Sequence, residues 1–251
     1  MSDYKVALVT GATGGIGSAI ASKLANEGMQ LVLTGRNQEK LEALVATLGN
    51  SVIYSEAVDI LDNEALKKFA DDISDQGIEV DVLINNAGGA LDLASIENYE
   101  IDDISTMVDL NVRSLMVLTQ IFSKQFVSRN RGHIINIGST AGTAAYGGGA
   151  VYCAAKAAVK MFSDGIRIDL MQSDVKVTTI QPGMVHTDFS LVRFKGDKER
   201  ADAVYAGIEP LIADDIADTA WFVLNQPKRV VIAEVTVMAN QQGSSYAKFS
   251  K

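Results

Sequence analysis

Apolar residues follow two alternating rhythms along this chain: short continuous runs, and longer stretches in which they return every three or four positions. Runs at residues 6–9, 31–33, 52–58, 80–84, 134–137, 175–180 and 234–238 read as strands. Between them, a helical stripe passes through Ile20 and Leu24 to a cap at Gly28. A second uses Leu41, Leu44, Val45 and Leu48 and stops at Gly49. Asp62 is placed to cap a helix whose buried face is Leu66, Phe69, Ala70 and Ile73. One long helix is expected over residues 101–128, another after the run at 134–137, and a last one over 214–225. Strand and helix alternate with short links. That pattern predicts an α/β fold, a doubly wound parallel sheet of about seven strands with helices on both faces.

Right-handed crossovers put the carboxyl ends of all strands on one edge, where such sheets bind ligands. Only three prolines occur (Pro182, Pro210 and Pro227), all in the last third, so residues 1–251 are expected to form one domain. Residues 191–207 break the alternation with charge and read in two ways. They are a mobile cover within an insert spanning 188–213, or a solvated surface helix.

Composition narrows the function. Of 251 residues, 47% are hydrophobic, and the net charge is −9 with lysines and arginines scattered, which argues against a nucleic-acid surface. An acidic chain repels anions at long range, so any phosphate site must rely on local donors. The single cysteine, Cys153, rules out an intrachain disulfide and reads as a packed helix thiol rather than a reactive one. The opening M-S-D-Y-K-V has no signal-peptide pattern and no apolar run nears a membrane span, so a cytoplasmic enzyme is expected.

The first strand runs directly into T-G-A-T-G-G-I-G, in which Gly11, Gly15 and Gly17 are spaced G-x-x-x-G-x-G. A glycine-rich turn between strand and helix lets the backbone approach a pyrophosphate, whose charge the helix N-terminus stabilises. The second strand ends T-G-R. Gly35 stands where an acid for a ribose 2′-hydroxyl would be expected, and Arg36 follows. A guanidinium binds a 2′-phosphate through paired hydrogen bonds that a carboxylate would repel, so NADP(H) is the expected cofactor. The plainer alternative is a surface arginine at a helix start.

Tyr152 and Lys156 lie four residues apart in an Ala-rich segment, on one face if it is helical. Bringing a phenol from about 10 to about 7 takes roughly 4 kcal/mol, whereas a solvated ion pair yields only ~0–1 kcal/mol. Shielding from water or a second positive charge is therefore needed. Ser139, just past the fifth strand, is placed to share an oxygen with that phenol. The two histidines, His133 and His186, are scattered, so no metal site is expected; His186 is a weak candidate for substrate contact.

T-G-x-x-x-G-I-G, N-N-A-G at residues 85–88, Asn111, Ser139, Y-x-x-x-K and P-G at Pro182 and Gly183 occur in order over nearly the whole chain. This set resembles the short-chain dehydrogenase/reductase family, whose fold is a doubly wound Rossmann domain. The resemblance implies that Thr13, Gly14, Ile16 and the three spaced glycines cradle the cofactor, with Arg36 and Asn37 beyond them. Asp59 and Ile60 would meet the adenine. Asn86, Ala87 and Gly88 would line the cofactor and steady the central strand. Pro182, Gly183, Val185 and Thr187 would fix the nicotinamide carboxamide. Lys156 would bind the nicotinamide ribose and lower the pKa of Tyr152, the acid/base. Ser139 and Tyr152 would hold the substrate oxygen, and Asn111 would hold a water that relays protons toward Lys156.

I-G-S-T-A-G, V-Y-C-A-A-K and above all V-R-F-K-G-D at 192–197 resemble the branch of NADP-dependent 3-hydroxy acid dehydrogenases. That branch acts on serine, allo-threonine and semialdehydes. A carboxylate substrate wants a cation, and Arg193 or Lys195 is available unless both only solvate a loop. Family members are mostly homotetramers, so a homotetramer with a small-molecule substrate is expected, without nucleic-acid or membrane partners. The alternatives are a reductase of 3-oxoacyl thioesters, sugars or ketones, and an NADP(H) sensor without turnover. Joint exchange of Gly35→Asp and Arg36→Ala is expected to move the ratio of kcat/KM toward NAD; an unchanged ratio would defeat the NADP(H) assignment.

Overall fold

In the computed structural model, which describes residues 3–246, the apolar runs become seven strands. They are β1 (Val6–Thr10), β2 (Gln30–Gly35), β3 (Val52–Ala57), β4 (Val82–Asn85), β5 (Gly132–Ile137), β6 (Val175–Pro182) and β7 (Glu234–Val237). They form a single sheet, β3-β2-β1-β4-β5-β6-β7, in which every pairing is parallel. The order turns back between β1 and β4, so the crevice at their carboxyl ends is the switch point at which such sheets take ligands.

The helices are α1 (Gly15–Asn26), α2 (Gln38–Leu48), α3 (Asn63–Asp75), α4 (Ile101–Val108), α5 (Ser114–Ser128), α6 (Ala150–Asp169), α7 (Phe189–Arg193), α8 (Lys198–Ala203) and α9 (Ala213–Leu224). The central strands β1, β4 and β5 are buried at every position because both faces are covered. Ala7, Val9, Leu31, Leu33, Val82 and Ile84 meet Ile20 and Leu24 of α1 and Ile216 and Ala220 of α9. The alternate residues Val6, Leu8, Val32 and Leu83 meet Leu66 and Phe69 of α3 and Leu118, Phe122 and Phe126 of α5. Asp62 caps α3 as its position predicts, accepting from the Glu64 and Ala65 N–H groups.

Two expectations need correction. The helix anticipated over 101–128 is not uniform: a π-helical turn, Asp109–Arg113, separates α4 from α5. Periodicity cannot reveal one inserted residue in a stripe that otherwise continues, and such turns concentrate at functional positions. The charged insert is not one helix but two short ones, α7 and α8, and its arginines have unlike fates, since Arg193 is buried whereas Arg200 is exposed.

His133, the second residue of β5, is wholly buried. Thr178 spends its hydroxyl proton on the Ile232 carbonyl, so it accepts from His133 Nε2 at 2.9 Å. The proton is thereby assigned to Nε2, and Nδ1 is left bare without a partner. Burial, aided by the Lys176 charge, holds the imidazole pKa down to about 3. The unfolded chain then binds more protons below pH ~6.5, and stability is lost as pH falls from there toward 3. Between pH 7 and pH 5, native protein should lose about 2 kcal/mol more unfolding free energy in urea than His133→Leu. Parallel losses would refute a neutral buried imidazole.

Candidate active site

The turn after β1 is made where backbone must touch backbone. Gly11 has φ +60°, and a Cβ on it would come within 2.8 Å of the Ala87 Cα. On Gly17 it would lie 2.2 Å from the Gly11 carbonyl oxygen. The loop after β4 is bound to this turn. Asn86 Nδ2 donates to the Thr10 and Gly11 carbonyls at 2.9 and 3.1 Å, and Thr10 Oγ1 accepts from the Asn86 and Ala87 N–H groups. Helix α1 therefore starts at the crevice, and no side chain caps its first turn. Its free N–H groups, with Thr13, Gly14, Gly15 and Ile16 on the wall, fit a pyrophosphate.

A cleft of about 430 Å³ runs along the carboxyl ends of the strands, a size usual for ligand sites. One end holds Arg36, Asn37 and, unforeseen from sequence, Lys40. Asn37 Oδ1 accepts from the Lys40 N–H at 2.8 Å, so that side chain serves first as the cap of α2. The cap turn carries Lys40 around to the side of Arg36. A spacing of four residues on a helix start was the available signal. A Cβ on Gly35 would sit 2.8 Å from Thr13 Oγ1. Glycine is therefore required there by packing, and Gly35→Asp would displace Thr13 as well as add charge. Nearby, Val58 and Ile60 line the cleft. Asp59 does not: it is exposed and accepts from the Leu61 N–H at 3.0 Å.

Behind the Gly88 and Gly89 backbone that lines the middle of the cleft, and not itself in the wall, Asn111 is buried in the π-helical turn. Its Oδ1 accepts from the Gly89 N–H at 3.1 Å, and its Nδ2 donates to the Gly89 and Met107 carbonyls at 2.7 and 2.8 Å. A Cβ on Gly88 would lie 2.7 Å from Asn111 Oδ1 and 3.3 Å from Lys156 Nζ. Asn111 and Lys156 thus converge on the same bare backbone.

Tyr152 and Lys156 share one face of α6, and both are buried. Ser139, in the turn after β5, hydrogen-bonds the Tyr152 hydroxyl. Lys156 Nζ donates to the Ile137 carbonyl at 2.9 Å and stands 5.8 Å from the Tyr152 ring centre. The electrostatics differ from the sequence expectation. Burial pushes the Tyr152 phenol up to about 12, and the positive charge that opposes this is the Arg193 guanidinium, assisted by the Ser139 hydrogen bond. Burial brings Lys156 itself down to about 8. The ammonium points along the helix to a carbonyl, whereas Arg193, from α7, lies 5.3 Å from the phenol ring centre.

The loop after β6 closes the cleft. Pro182, Gly183, Met184, Val185 and Thr187 line it, and a Cβ on Gly15 would lie 2.6 Å from Thr187 Cγ2. Gln242 Oε1 accepts from the Met184 N–H at 2.9 Å, so the stretch after β7 fastens this loop. His186 is exposed and packs against Tyr205, outside the cleft wall. Lys195 is also turned away, paired with Asp103 at 2.8 Å. Cys153 is buried, and among the described residues no group of three or more His, Cys, Asp or Glu is placed to hold a metal. Tyr146, Phe189 and Tyr246 line the cleft without having been anticipated, because loops and a five-residue helix are too short to carry a periodic signal.

Known proteins share this arrangement. A family model described as short chain dehydrogenase matches residues 5–197. The NADP-dependent 3-hydroxy acid dehydrogenase YdfG of Salmonella typhi is 42% identical over 234 residues, covering 93% of this chain and 94% of that relative. A serine 3-dehydrogenase from Rhizobium radiobacter is 42% identical over 242 residues, covering 96% of each chain. Among solved structures, the closed form of serine dehydrogenase complexed with NADP+ superposes with a TM-score of 0.93 at 37% identity, over 98% of this chain and 99% of that one. Similarity of that extent, in sequence and in the sheet that carries the cleft, leaves one conclusion: the chain belongs to the short-chain dehydrogenase family.

Proposed function

We propose that this protein is an NADP(H)-dependent oxidoreductase that moves a hydride between the nicotinamide and a small 3-hydroxy acid, such as serine or allo-threonine, or the corresponding carbonyl compound. The observation that carries the reading is one cleft with basic side chains, Arg36 and Lys40, at one end and Ser139, Tyr152 and Arg193 at the other. The first pair suits a 2′-phosphate and the second group a short anionic alcohol. The names of the relatives support both halves.

When bound, NADP(H) supplies or accepts the hydride and, in its oxidised form, adds a positive charge near the phenol. Ser139 holds the substrate oxygen. Tyr152 donates its proton to that oxygen in carbonyl reduction and takes it back in alcohol oxidation. The phenol held up to about 12 by burial is the proton-donating form at neutral pH. Lys156 is fixed by the Ile137 carbonyl in reach of the ribose, and Asn111 orders Gly89 beside it and relays protons through water. Asp59, whose carboxylate accepts from the Leu61 N–H, stands with Ile60 at the adenine end.

The reading treats residues 1–251 as one cofactor-binding and catalytic domain and 188–213 as its substrate cover. It includes a cytoplasmic homotetramer, supported by exposed apolar side chains on α6 (Met161 and Ile168) and α9 (Phe222). No helix among the described residues is long and apolar enough to cross a membrane.

Mixing the protein with NADP+ and a panel of 3-hydroxy acids, secondary alcohols and oxoacyl thioesters, and following absorbance of the reduced cofactor, tests the substrate class. Best turnover of an uncharged alcohol or a thioester would overturn it. Tyr152→Phe should lower kcat by about 10²–10⁴-fold while NADPH binding is kept, and substantial residual kcat would mean another acid/base group. Arg36→Ala with Lys40→Ala leaves Gly35 undisturbed and should cut the NADP+ over NAD+ preference roughly 100-fold, read as the ratio of kcat/KM. An unaltered ratio would place the 2′-phosphate elsewhere.

A further inference from the structure

Among the described residues, Arg193 is a buried cation without an anion. It is 5% exposed, and its Nε is wholly buried with no hydrogen-bond partner. Among the described residues its guanidinium bonds only a neutral group, Nη2 donating to Tyr146 Oη at 2.9 Å. Arg113, Arg129, Arg131, Arg167 and Arg200 each have a carboxylate partner, and Arg36 and Arg229 are exposed to water. Arginine does not relieve such burial by losing its proton, so an unpaired guanidinium in this position costs stability that a packed hydrophobic residue would not. The environment is nevertheless made to hold it. The rings of Phe189, Tyr152 and Tyr146 surround it at 4.9, 5.3 and 5.9 Å, and its backbone carbonyl accepts from the Asp92 N–H at 2.8 Å.

We propose that Arg193 is the residue by which this enzyme selects its substrate: the guanidinium takes the carboxylate of a short acid whose reacting oxygen is held by Ser139 and Tyr152. The proposal rests on the hydride-transfer reading above and adds to it the specificity group. A guanidinium matches a carboxylate with two parallel N–H donors, and here Nε is one donor left unused. The guanidinium lies 5.3 Å from the centre of the phenol ring, so an acid that reaches both groups is a short one. Lys195, the other cation of the insert, is excluded by its pairing with Asp103 and its exposure. Tyr146 is a positioning residue. Its hydroxyl holds Nη2, and its ring is itself stacked on Tyr246 at 5.0 Å. Because Arg193 closes α7, the same ion pair would tie the cover to the bound substrate.

The test compares 3-hydroxypropionate with its uncharged amide under saturating NADP+, in native protein and in Arg193→Met, Arg193→Lys and Tyr146→Phe. Native protein should favour the acid about 100-fold in kcat/KM. Arg193→Met should bring that ratio near unity, chiefly by raising KM for the acid. Arg193→Lys should retain part of the preference, and Tyr146→Phe should lower it several-fold, with NADP+ affinity by protein fluorescence unchanged in all three. A ratio that survives Arg193→Met, or loss of acid and amide alike, overturns the proposal. Should Arg193→Met not fold, Arg193→Lys and Tyr146→Phe decide by the same ratio. Should native protein oxidise neither compound, the substrate reading fails separately. Calorimetric binding of malonate to the NADP+-loaded protein then judges Arg193: binding weakened in Arg193→Lys and lost in Arg193→Met upholds it, and no binding to native protein or equal binding to native protein and both variants defeats it.

Discussion

Removal of water from around Tyr152 is the constraint on which the site depends. A phenol in water lies near 10, already about 4 kcal/mol from being half ionised at neutral pH; at about 12 the gap is roughly 7 kcal/mol. Burial thus works against phenolate formation and in favour of the protonated acid. It also makes each nearby charge count, because interactions of a desolvated group are screened far less than on the surface. The same burial brings Lys156 down to about 8, so the pair share one dry environment that disfavours charge on both. Arg193, which keeps its charge when buried, is the fixed positive group in this setting.

The fold holds these groups in register through short-range contacts at the crevice. β5 delivers Ser139, and the Ile137 carbonyl at the end of the same strand anchors Lys156, so strand and helix are joined at the reacting groups. Asn85 donates to Asn136 Oδ1 at 2.9 Å and Asn136 to Ser163 Oγ at 2.8 Å, a polar ladder from β4 through β5 to α6. Because each donor in it is buried, misplacing one strand would leave several unsatisfied groups, and the cost fixes the relative height of the loops. Asn86 performs the matching task between the β1 and β4 turns.

Legibility in the sequence followed the physics of each signal. The seven strands and the capped helices could be read because burial on both faces and the Asp62 cap impose local patterns. The glycine turn could be read because Gly11 and Gly17 face backbone at distances no side chain allows. What failed were properties made by three-dimensional neighbours. The π-helical turn at Asn111 leaves the apolar stripe intact. Lys156 and Tyr152 could be placed on one face by their spacing, but the approach of Arg193 to the same ring could not be read. Sequence spacing cannot show that the ammonium is taken by a carbonyl while an arginine about forty residues further on, Arg193, reaches the ring.

The net charge of −9 gives these local cations their significance. A chain so acidic does not gather anions by its long-range field, and at physiological salt that field decays within about 8 Å. Discrimination must then be made at contact, where Arg36 and Lys40 stand at one end of the cleft and Arg193 at the other. The two ends differ in kind. The first is exposed and can bind or release a phosphate with little change in solvation, whereas the second is buried among three rings and gains most from an anion that enters with it. A ligand that brings charge to the buried end also excludes water from Tyr152, so recognition of the acid and preparation of the proton donor become one event.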